Sequence, residues 1–319
     1  MARFDVITFG ETMIRLSPPD HGRLETAASL DIRLGGSESN TAIALSRLGR
    51  KVSWWSRLPT SPLGRRVAMD IGRWGVDTSN VLWTDTGRVG VYFIEFGSPP
   101  RPHHVYYDRA DSAVSRLDPE LVDWTHLDSG RHLHVTGITA ALSEGCLRTV
   151  ERAIREAKQR GMTVSFDVNY RKKLWPPAAA KTALTPLLAD VDILFCPVGD
   201  AEAVFGLGGH SLKLAKTLQK TLGPKTVVVP GSSDGTWAVD GDRDYHSPNI
   251  RAAEVDRIGS GDAGNAGILH GYLNGDFGTG LRYGSAMAAL KLSIPGDELI
   301  ATREEIDAVV AGATSGVHR

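Results

Sequence analysis

Cysteine is scarce in this sequence, whose 319 residues include only Cys146 and Cys196, far apart and in no Cys-x-x-Cys pair. A disulfide framework or a thiolate zinc site needs more cysteines at closer spacing. We therefore expect neither, and a chain suited to a reducing compartment. Cys196 follows an apolar run that begins at Val191, and we interpret it as a buried apolar residue rather than a nucleophile.

Long apolar stretches are missing as well. No run approaches the ~20 residues that a membrane-spanning helix needs, and residues 1–7 include Asp5 and lack the apolar centre of a signal peptide. The 36 Lys and Arg face 37 Asp and Glu, for a net charge of -1, which argues against the broad positive field of a nucleic-acid-binding protein. We expect a cytoplasmic protein with no membrane or nucleic-acid partner, in which local basic clusters can still bind a phosphate or a carboxylate.

Hydrophobic residues make up 41% of the chain, enough to bury a substantial core. Short apolar runs alternate with amphipathic stretches, of which residues 142–160 are the clearest predicted helix. Strands are predicted at residues 5–9, 52–55, 132–136, 164–168, 192–196 and 226–229. This alternation predicts an α/β fold with a mostly parallel sheet and helices on both faces, formed by residues 1–319 as a single domain.

Two segments interrupt the alternation. Residues 88–96 and 105–109 look like two strands around a Pro-rich connection, and a second extended patch covers residues 13–34. We interpret these segments, about 12–34 and 88–112, as a small β-rich flap inserted into the domain. The alternative is a pair of edge hairpins without a function.

The most informative motif is Gly259-Ser260-Gly261-Asp262, followed by an apolar run that we predict to be a helix. A glycine-rich turn at a helix N-terminus is an anion site, because unpaired N–H groups and the helix dipole both favour negative charge. An acid at such a site suits a base that accepts a proton from an attacking hydroxyl. The alternative is that Asp262 only caps the helix. The motif is neither a Walker loop nor a dinucleotide fingerprint.

A second motif, Gly35-Gly36-Ser37-Glu38-Ser39-Asn40, stands before another predicted helix. Backbone and amide groups at a helix start suit the recognition of a hydroxylated ligand. The alternative is that Asn40 only satisfies a buried loop.

The two motifs together resemble those of the ribokinase-like, or PfkB-type, carbohydrate kinases, and the flap looks like that family's β-sheet lid. Four further stretches are most similar to 2-keto-3-deoxygluconate kinases, namely Gly10-Glu11, residues 105–113, residues 167–175 and Ile294-Pro295-Gly296-Asp297. The resemblance implies a ribokinase-like fold and ATP-dependent phosphorylation of a primary hydroxyl, with 2-keto-3-deoxygluconate converted to its 6-phosphate. It also implies Mg²⁺, with a monovalent cation as a further candidate cofactor. The sequence leaves open whether the protein is a homo-oligomer.

The resemblance further implies roles for individual residues. Asp262 would be the base, Gly259, Ser260 and Gly261 the anion hole, and Arg171 a neighbour of the transferring phosphate. Contacts to the sugar would come from Glu11, Gly36, Ser37, Asn40, Tyr92, Tyr107, Arg109 and Asp297. Contacts to ATP would come from Asn169, Arg171, Gly231, Ser232, Gly235, Gly259 and Gly261. Asp200 would help to hold Mg²⁺ through water.

Arg109 and Arg171 carry planar forks of donors that can engage a carboxylate or a phosphate. The resemblance implies that Arg109, with Tyr107, holds the substrate from the flap. The alternative for each arginine is a solvated surface charge.

Several positions depart from the family's pattern. Pro197 and Asp200 stand where the family has Asn-x-x-Glu, Pro230 begins an atypical nucleotide loop, and Gly264 replaces an aromatic residue. They leave open the nucleotide affinity, the metal geometry and the choice of nucleotide, and the Pro197 and Pro230 loops favour the alternative of a non-catalytic sugar- or nucleotide-sensing protein on the same scaffold. A separate alternative is the same chemistry on fructose, ribose, a nucleoside or another sugar acid. Asp262 argues against a sensor, because a pure binder has no use for a base.

Overall fold

The computed structural model describes residues 2–98 and 100–312. The strands are β1 (Phe4–Phe9), β2 (Met13–Ser17), β3 (Asp31–Gly35), β4 (Val52–Trp55), β5 (Arg57–Pro59), β6 (Leu82–Thr84), β7 (Val91–Glu95), β8 (His104–Asp108), β9 (Gly130–Thr136), β10 (Thr163–Asp167), β11 (Ile193–Phe195), β12 (Thr226–Ser232), β13 (Gly235–Asp240) and β14 (Arg243–Ser247). The α-helices are α1 (Ser37–Arg47), α2 (Pro62–Gly72), α3 (Gly137–Ala140), α4 (Glu144–Gln159), α5 (Pro177–Leu188), α6 (Val198–Asp200), α7 (Ser211–Leu222), α8 (Ser260–Leu273), α9 (Phe277–Leu292) and α10 (Arg303–Val310). Within the described ranges, none of the helices combines the length and the apolar content that crossing a bilayer requires.

An eight-stranded sheet forms the centre of the molecule, in the order β14-β13-β12-β11-β10-β9-β1-β4. Its neighbours from β4 to β12 pair in parallel, and β13 and β14 add an antiparallel edge. Helices α4, α5 and α7 contribute to the core on one face, and α1, α2, α8, α9 and α10 to the core on the other. Because both faces are covered, the parallel strands are apolar along most of their length. The predicted α/β fold is confirmed, and Cys196 is buried as expected.

The edge of the sheet beyond residue 229 differs from the expectation. Strand β12 continues to Ser232, with a shift in its pairing to β13 between Val229 and Ser232. The predicted strand covered only residues 226–229, and Pro230 and Gly231 are residue types typical of a turn. Here the irregularity is absorbed within the strand, and the hairpin of β13 and β14 was not predicted.

The two interrupting segments form one small sheet of their own, in the order β3-β2-β7-β8. Strands β2 and β7 pair in parallel, whereas β3 and β8 pair antiparallel at the edges. The segments around residues 13–34 and 88–109, distant in sequence, therefore meet in one sheet rather than in two separate hairpins. Its residues Met13, Tyr92 and Val105 face the cavity described below.

Helices α8 and α9 approach each other closely because glycines line their contact. A Cβ on Gly271 would lie 2.2 Å from the Cα of Gly280, and one on Gly267 would lie 2.5 Å from the backbone nitrogen of Gly284. Side chains at these positions would push the helices apart. The pair thus packs as a unit, with the N-terminus of α8 at the carboxyl edge of the sheet.

Candidate active site

A cavity of about 500 Å³ lies between the carboxyl ends of the parallel strands and the small sheet. Open α/β sheets bind ligands at this edge, where several strands end together. The cavity wall brings together most of the residues singled out from the sequence, namely Glu11, Gly36, Ser37, Asn40, Tyr92, Tyr107, Arg109, Asn169, Arg171, Asp200, Gly259, Gly261, Asp262 and Asp297. Ser260, Gly231, Ser232 and Gly235 are not part of this wall.

Asp262 is the third residue of α8, whose N-cap is Gly259, so its side chain does not cap the helix. Its Oδ1 accepts a hydrogen bond from Ser37 Oγ at 2.6 Å, and its Oδ2 accepts one from Asn40 Nδ2 at 2.7 Å. Asn169 Nδ2 in turn donates to Ser37 Oγ at 2.8 Å. Burial raises the pKa of the Asp262 carboxyl, and the hydrogen bonds from Ser37 and Asn40 oppose that rise. The first turn of α1 thus fixes the orientation of this carboxylate.

The turn before α8 requires glycine at its first position. Gly259 has a φ of 84°, a conformation that is costly for residues with a Cβ, and a Cβ there would lie 1.9 Å from the carbonyl oxygen of Asp297. The turn leads into the first N–H groups of α8, which have no partner within the helix and favour an anion. Ser260 Oγ donates to the carbonyl of Arg257 at 2.9 Å, so its hydroxyl stays within the turn.

A buried arginine that the sequence analysis did not single out connects this turn to the small sheet. Arg15 on β2 is 2% exposed and binds Asp256 Oδ2 at 2.7 Å and Asp297 Oδ1 at 2.6 Å. The hydroxyl of Tyr92 donates to Asp297 Oδ2 at 2.6 Å. Asp297 and Tyr92, which were expected to contact the sugar, thus hydrogen-bond to each other at the cavity wall. In the sequence, the signal for a buried ion pair here is an arginine that stands between the apolar residues Ile14 and Leu16.

Arg109 is paired within the protein rather than solvated. Its Nε donates to Glu11 Oε2 at 2.7 Å, and its terminal nitrogen contacts the same oxygen. Glu11 is 3% exposed, and its Oε1 has no partner among the described residues. The guanidinium carbon of Arg109 lies 5.6 Å from the centre of the Tyr107 ring. Glu11 therefore offsets the charge of Arg109, which the sequence did not show.

Asp167 lines the cavity and was given no role from the sequence. It ends β10, accepts from Asn265 Nδ2 at 2.8 Å and accepts from the backbone nitrogen of Asn169 at 3.1 Å. Burial, and then repulsion from Asp200 and Asp262, raises the pKa of Asp167 well above its ordinary value. The signal was an acid at the carboxyl end of a buried strand.

Asn169 and Arg171 follow β10 at the cavity. Asn169 has a φ of 40°, in the left-handed region that asparagine tolerates better than most residues. The bend places its side-chain amide on Ser37. Arg171 is exposed at the cavity wall, donates to the carbonyl of Tyr170 at 3.1 Å, and makes no ion pair within the part of the chain that the structure describes.

Asp200 has the chemistry for a water-mediated Mg²⁺ contact. Its Oδ2 accepts from the backbone nitrogen of Tyr170 at 2.9 Å, and burial raises the pKa of its carboxyl. Across residues 2–98 and 100–312, no three His, Cys, Asp or Glu side chains converge as metal ligands. Mg²⁺ keeps several waters and is usually held by one or two carboxylates together with phosphates. The oxygen donors present fit that mode of binding, and the assignment of Asp200 stays a prediction.

Three further residues expected to contact ATP, Gly231, Ser232 and Gly235, lie in the β12–β13 hairpin. Gly231 and Gly235 have φ values of 72° and 135°, and Ser232 Oγ donates to Asp234 Oδ1 at 2.7 Å. Pro230 lines the cavity, and the hairpin continues outward from it. Their role in nucleotide binding stays a prediction.

Comparison with known proteins identifies the chain's relatives. Residues 3–302 match the model of the pfkB family carbohydrate kinases. The chain belongs to this family. It is 42% identical over 316 residues to a 2-dehydro-3-deoxygalactonokinase of Haloferax volcanii, covering 99% of each protein. It is 32% identical over 301 residues to a 2-dehydro-3-deoxygluconokinase of Thermoproteus tenax, covering 93% of this chain and 90% of that protein.

A solved structure supports the same placement. The crystal structure of 2-dehydro-3-deoxygluconokinase from Thermotoga maritima superposes with a TM-score of 0.91 at 34% identity, covering 97% of this chain and 100% of that one. The ribokinase-like fold is confirmed, and the protein is a carbohydrate kinase of the 2-keto-3-deoxygluconate kinase branch.

The Arg15 contacts predict a stability effect in this kinase. Arg15→Met should lower the free energy of unfolding by about 3–5 kcal/mol, because it leaves two buried carboxylates without their cation. Arg3 is the matched control, since its side chain is 67% exposed and pairs with Asp77. Arg3→Met should change the free energy by about 0–1 kcal/mol. Denaturant unfolding measures both, and an equally small loss in the two variants would contradict the anchoring role of Arg15.

Proposed function

We propose that this kinase transfers the γ-phosphoryl group of ATP to the terminal primary hydroxyl of 2-keto-3-deoxygluconate. The observation that carries the proposal is the Asp262 carboxylate, fixed by Ser37 and Asn40 beside the glycine turn and exposed to the cavity. A base at that place has one evident use, since a phosphoryl acceptor hydroxyl loses its proton as it attacks.

The proposed phosphoryl transfer can be written with the residues that line the cavity. The hydroxyl proton passes to Asp262, the hydroxyl oxygen forms a bond to the γ-phosphorus, and the bond from that phosphorus to the β–γ bridging oxygen breaks, leaving ADP. The N–H groups of the Gly259–Gly261 turn and the Arg171 guanidinium stabilise the charge on the moving group. Kinases of the family use ATP with Mg²⁺, which when bound neutralises phosphate charge. Asp200, through water, is the residue that would hold it here.

The arginine side chains around the cavity favour a substrate that carries a carboxylate. Arg109 and Arg171 both line its wall, and a carboxylate can engage either fork with two hydrogen bonds. Arg109 shares its charge with Glu11, so a substrate carboxylate would use the donors that Glu11 leaves. A neutral sugar would gain little from either cation.

The 42% identical relative favours a second candidate substrate. It is a 2-dehydro-3-deoxygalactonokinase, and its substrate differs from 2-keto-3-deoxygluconate only in the configuration at one carbon. The decisive experiment compares kcat/KM for the two sugar acids and for fructose. A clear preference for either acid supports the sugar-acid proposal, and a preference for fructose would refute it.

Replacing Asp262 tests the base. Asp262→Asn keeps the shape of the side chain but cannot accept the proton, so turnover should fall about 10²–10⁴-fold. In the wild type, kcat/KM should decline as the pH falls through the raised pKa of Asp262, because only the ionised form is a base. The variant should lack that decline. Turnover within a factor of two of the wild type would show that Asp262 is not the base.

Replacing Arg109 tests the recognition of the carboxylate. A charge-assisted hydrogen bond contributes roughly 1.5–3 kcal/mol, so Arg109→Ala should raise KM for the sugar acid about 10- to 100-fold. Fructose should suffer much less. Arg109→Ala also leaves the buried Glu11 carboxylate without its cation. The double variant Glu11→Gln/Arg109→Ala contains no such unpaired charge, and it should show the same difference between the sugar acid and fructose.

Arg88 supplies the matched control for Arg109. It lies on the same flap and pairs with Asp108 at 2.7 Å, outside the cavity wall. Arg88→Ala should leave KM for the sugar acid nearly unchanged. Equal losses for both substrates in the Arg109 variants would count against the sugar-acid proposal.

The small sheet, formed by residues 12–34 and 88–112, acts in this proposal as a lid that closes over the sugar. Tyr107 is 40% exposed, and a second cavity of about 830 Å³ separates β8 from residues 170–174. Binding of the sugar acid should slow hydrogen exchange in residues 88–109 as this space closes. Hydrogen exchange in helix α4, which packs on the face of the central sheet opposite to α1 and α8, is the internal control. Unchanged exchange at saturating sugar acid would rule out the lid.

A further inference from the structure

A buried ammonium group lies behind the glycine turn. Lys291, near the end of α9, is 0% exposed. Its Nζ donates to the carbonyl oxygen of Asp256 at 3.0 Å and to that of Ile294 at 2.9 Å. The mechanism above gives this side chain no part, and a lysine is rarely buried this deeply without a specific partner.

The two carbonyls belong to the two segments that shape the phosphate turn. Asp256 begins the stretch that reaches Gly259, and Ile294 leads to Asp297, whose carbonyl oxygen packs directly on Gly259. Asp256 is held further by its Oδ1, which accepts from the backbone nitrogen of Ile258 at 3.1 Å. Through these two hydrogen bonds, Lys291 therefore connects the segment 256–259, which forms the turn, with the segment 294–297, which packs against it.

The charges around Lys291 give it a second effect. Arg15 on β2 and Lys291 on α9 face the carboxylates of Asp256 and Asp297, so the charges of the cluster of these four side chains sum to zero. Without the lysine it would carry one negative charge directly behind a turn that receives a phosphate.

Three further titratable groups face the cluster. Tyr92 on β7 donates to Asp297, and Asp262 lies close enough for Lys291 to lower the pKa of its carboxyl. Burial, and then Asp297, raises the pKa of the Glu298 carboxyl to about 7. Burial lowers the pKa of Lys291, while Asp256 and Asp297 raise it. These carboxylates favour the charged form of the lysine.

We propose that Lys291 is a positioning residue that acts as a built-in monovalent cation, fixing the turn from Asp256 to Gly259 and offsetting the carboxylates behind it. The inference rests on the proposed role of this turn as the phosphate site, and not on which sugar acid is the substrate. It implies that the kinase needs no free monovalent cation at this place.

Truncation and replacement of the side chain should behave differently. Lys291→Ala leaves a space lined by two carbonyl oxygens and an excess negative charge, which K⁺ or NH₄⁺ can occupy. Lys291→Met removes the charge but fills the space, so it is the matched control that a small cation cannot rescue. A lysine with a merely structural role would give losses that do not depend on the salt.

The experiment measures kcat and KM for ATP in choline chloride, KCl and NH₄Cl at equal ionic strength. In choline, Lys291→Ala should lose about 10- to 100-fold in kcat, the size expected for charge-assisted hydrogen bonds, and K⁺ or NH₄⁺ should restore most of it. Lys291→Met should stay impaired in all three salts. The wild type should be indifferent to the salt. In choline, the acid limb of the Lys291→Ala pH profile should move to higher pH, since Asp262 loses a stabilising cation.

Several outcomes would overturn the proposal. They are activation of the wild type by K⁺, a folded Lys291→Ala variant that no cation rescues, and a Lys291→Met variant with wild-type kcat. Thermal unfolding in each salt shows whether the variants are folded. If neither is, the salt dependence of the wild type decides. If Asp262→Asn remains active, the proposed reaction itself fails, whatever Lys291 does.

Discussion

The guanidinium of Arg15 reaches from the small sheet to the segment that leads into the glycine turn, with Asp256 on one side and Asp297 on the other. Burying such ion pairs costs solvation, which further hydrogen bonds to the charged groups help to offset. Asp256 receives such bonds from the backbone nitrogens of Ile258 and Gly296, and Asp297 receives one from Tyr92. Nε of Arg15 has no partner among the described residues. The small sheet, the glycine turn before α8 and the segment 294–297 therefore form one connected unit. The flap can therefore move without displacing the turn only if β2 stays in place and the outer strands β3 and β8 move.

The position of Asp262 depends on two helices that start at the same edge of the sheet. Helix α8 delivers the carboxylate and helix α1 delivers Ser37 and Asn40, its two donors. The close glycine contact between α8 and α9 fixes α8 from behind, and α9 carries Lys291 to the base of the same turn. Helices α1 and α8 thus bring polar side chains to the cavity, and α9 brings one behind the turn, while the apolar faces of all three pack on the sheet. Rigid elements of this kind hold catalytic groups more precisely than loops do.

The sequence predicted those parts of the fold that depend on local pattern. Apolar runs located the parallel strands, and glycines placed the anion turn at the start of α8, because both signals are written in neighbouring residues. Contacts between segments that are distant in the chain cannot be recognised from patterns of neighbouring residues. The pairing of Arg15 with Asp256 and Asp297, and of Arg109 with Glu11, depends on how far each side chain reaches in the folded chain. Strand β12 is longer than predicted because its pairing with β13 continues past Pro230 and Gly231, whose local preference is for a turn.

The balance of charge at the cavity bears on how a polyphosphate can enter it. Asp167, Asp200 and Asp262 face the space that the transferring phosphate would occupy, and Arg171 and Arg257 are cations of the cavity wall that pair with no described carboxylate. Burial raises the pKa of all three carboxyls, because it penalises their charged forms. Arg109 adds little, because Glu11 already offsets it. A site of this kind repels free triphosphate and accepts it best when cations come with it or lie behind the turn. The donors of α8 supply dipoles, Arg171 and Arg257 each supply one charge, and Lys291 offsets one of the buried carboxylates beneath the turn. Selectivity for a nucleotide bound to a divalent cation would then follow from the carboxylates themselves, without a dedicated metal cage.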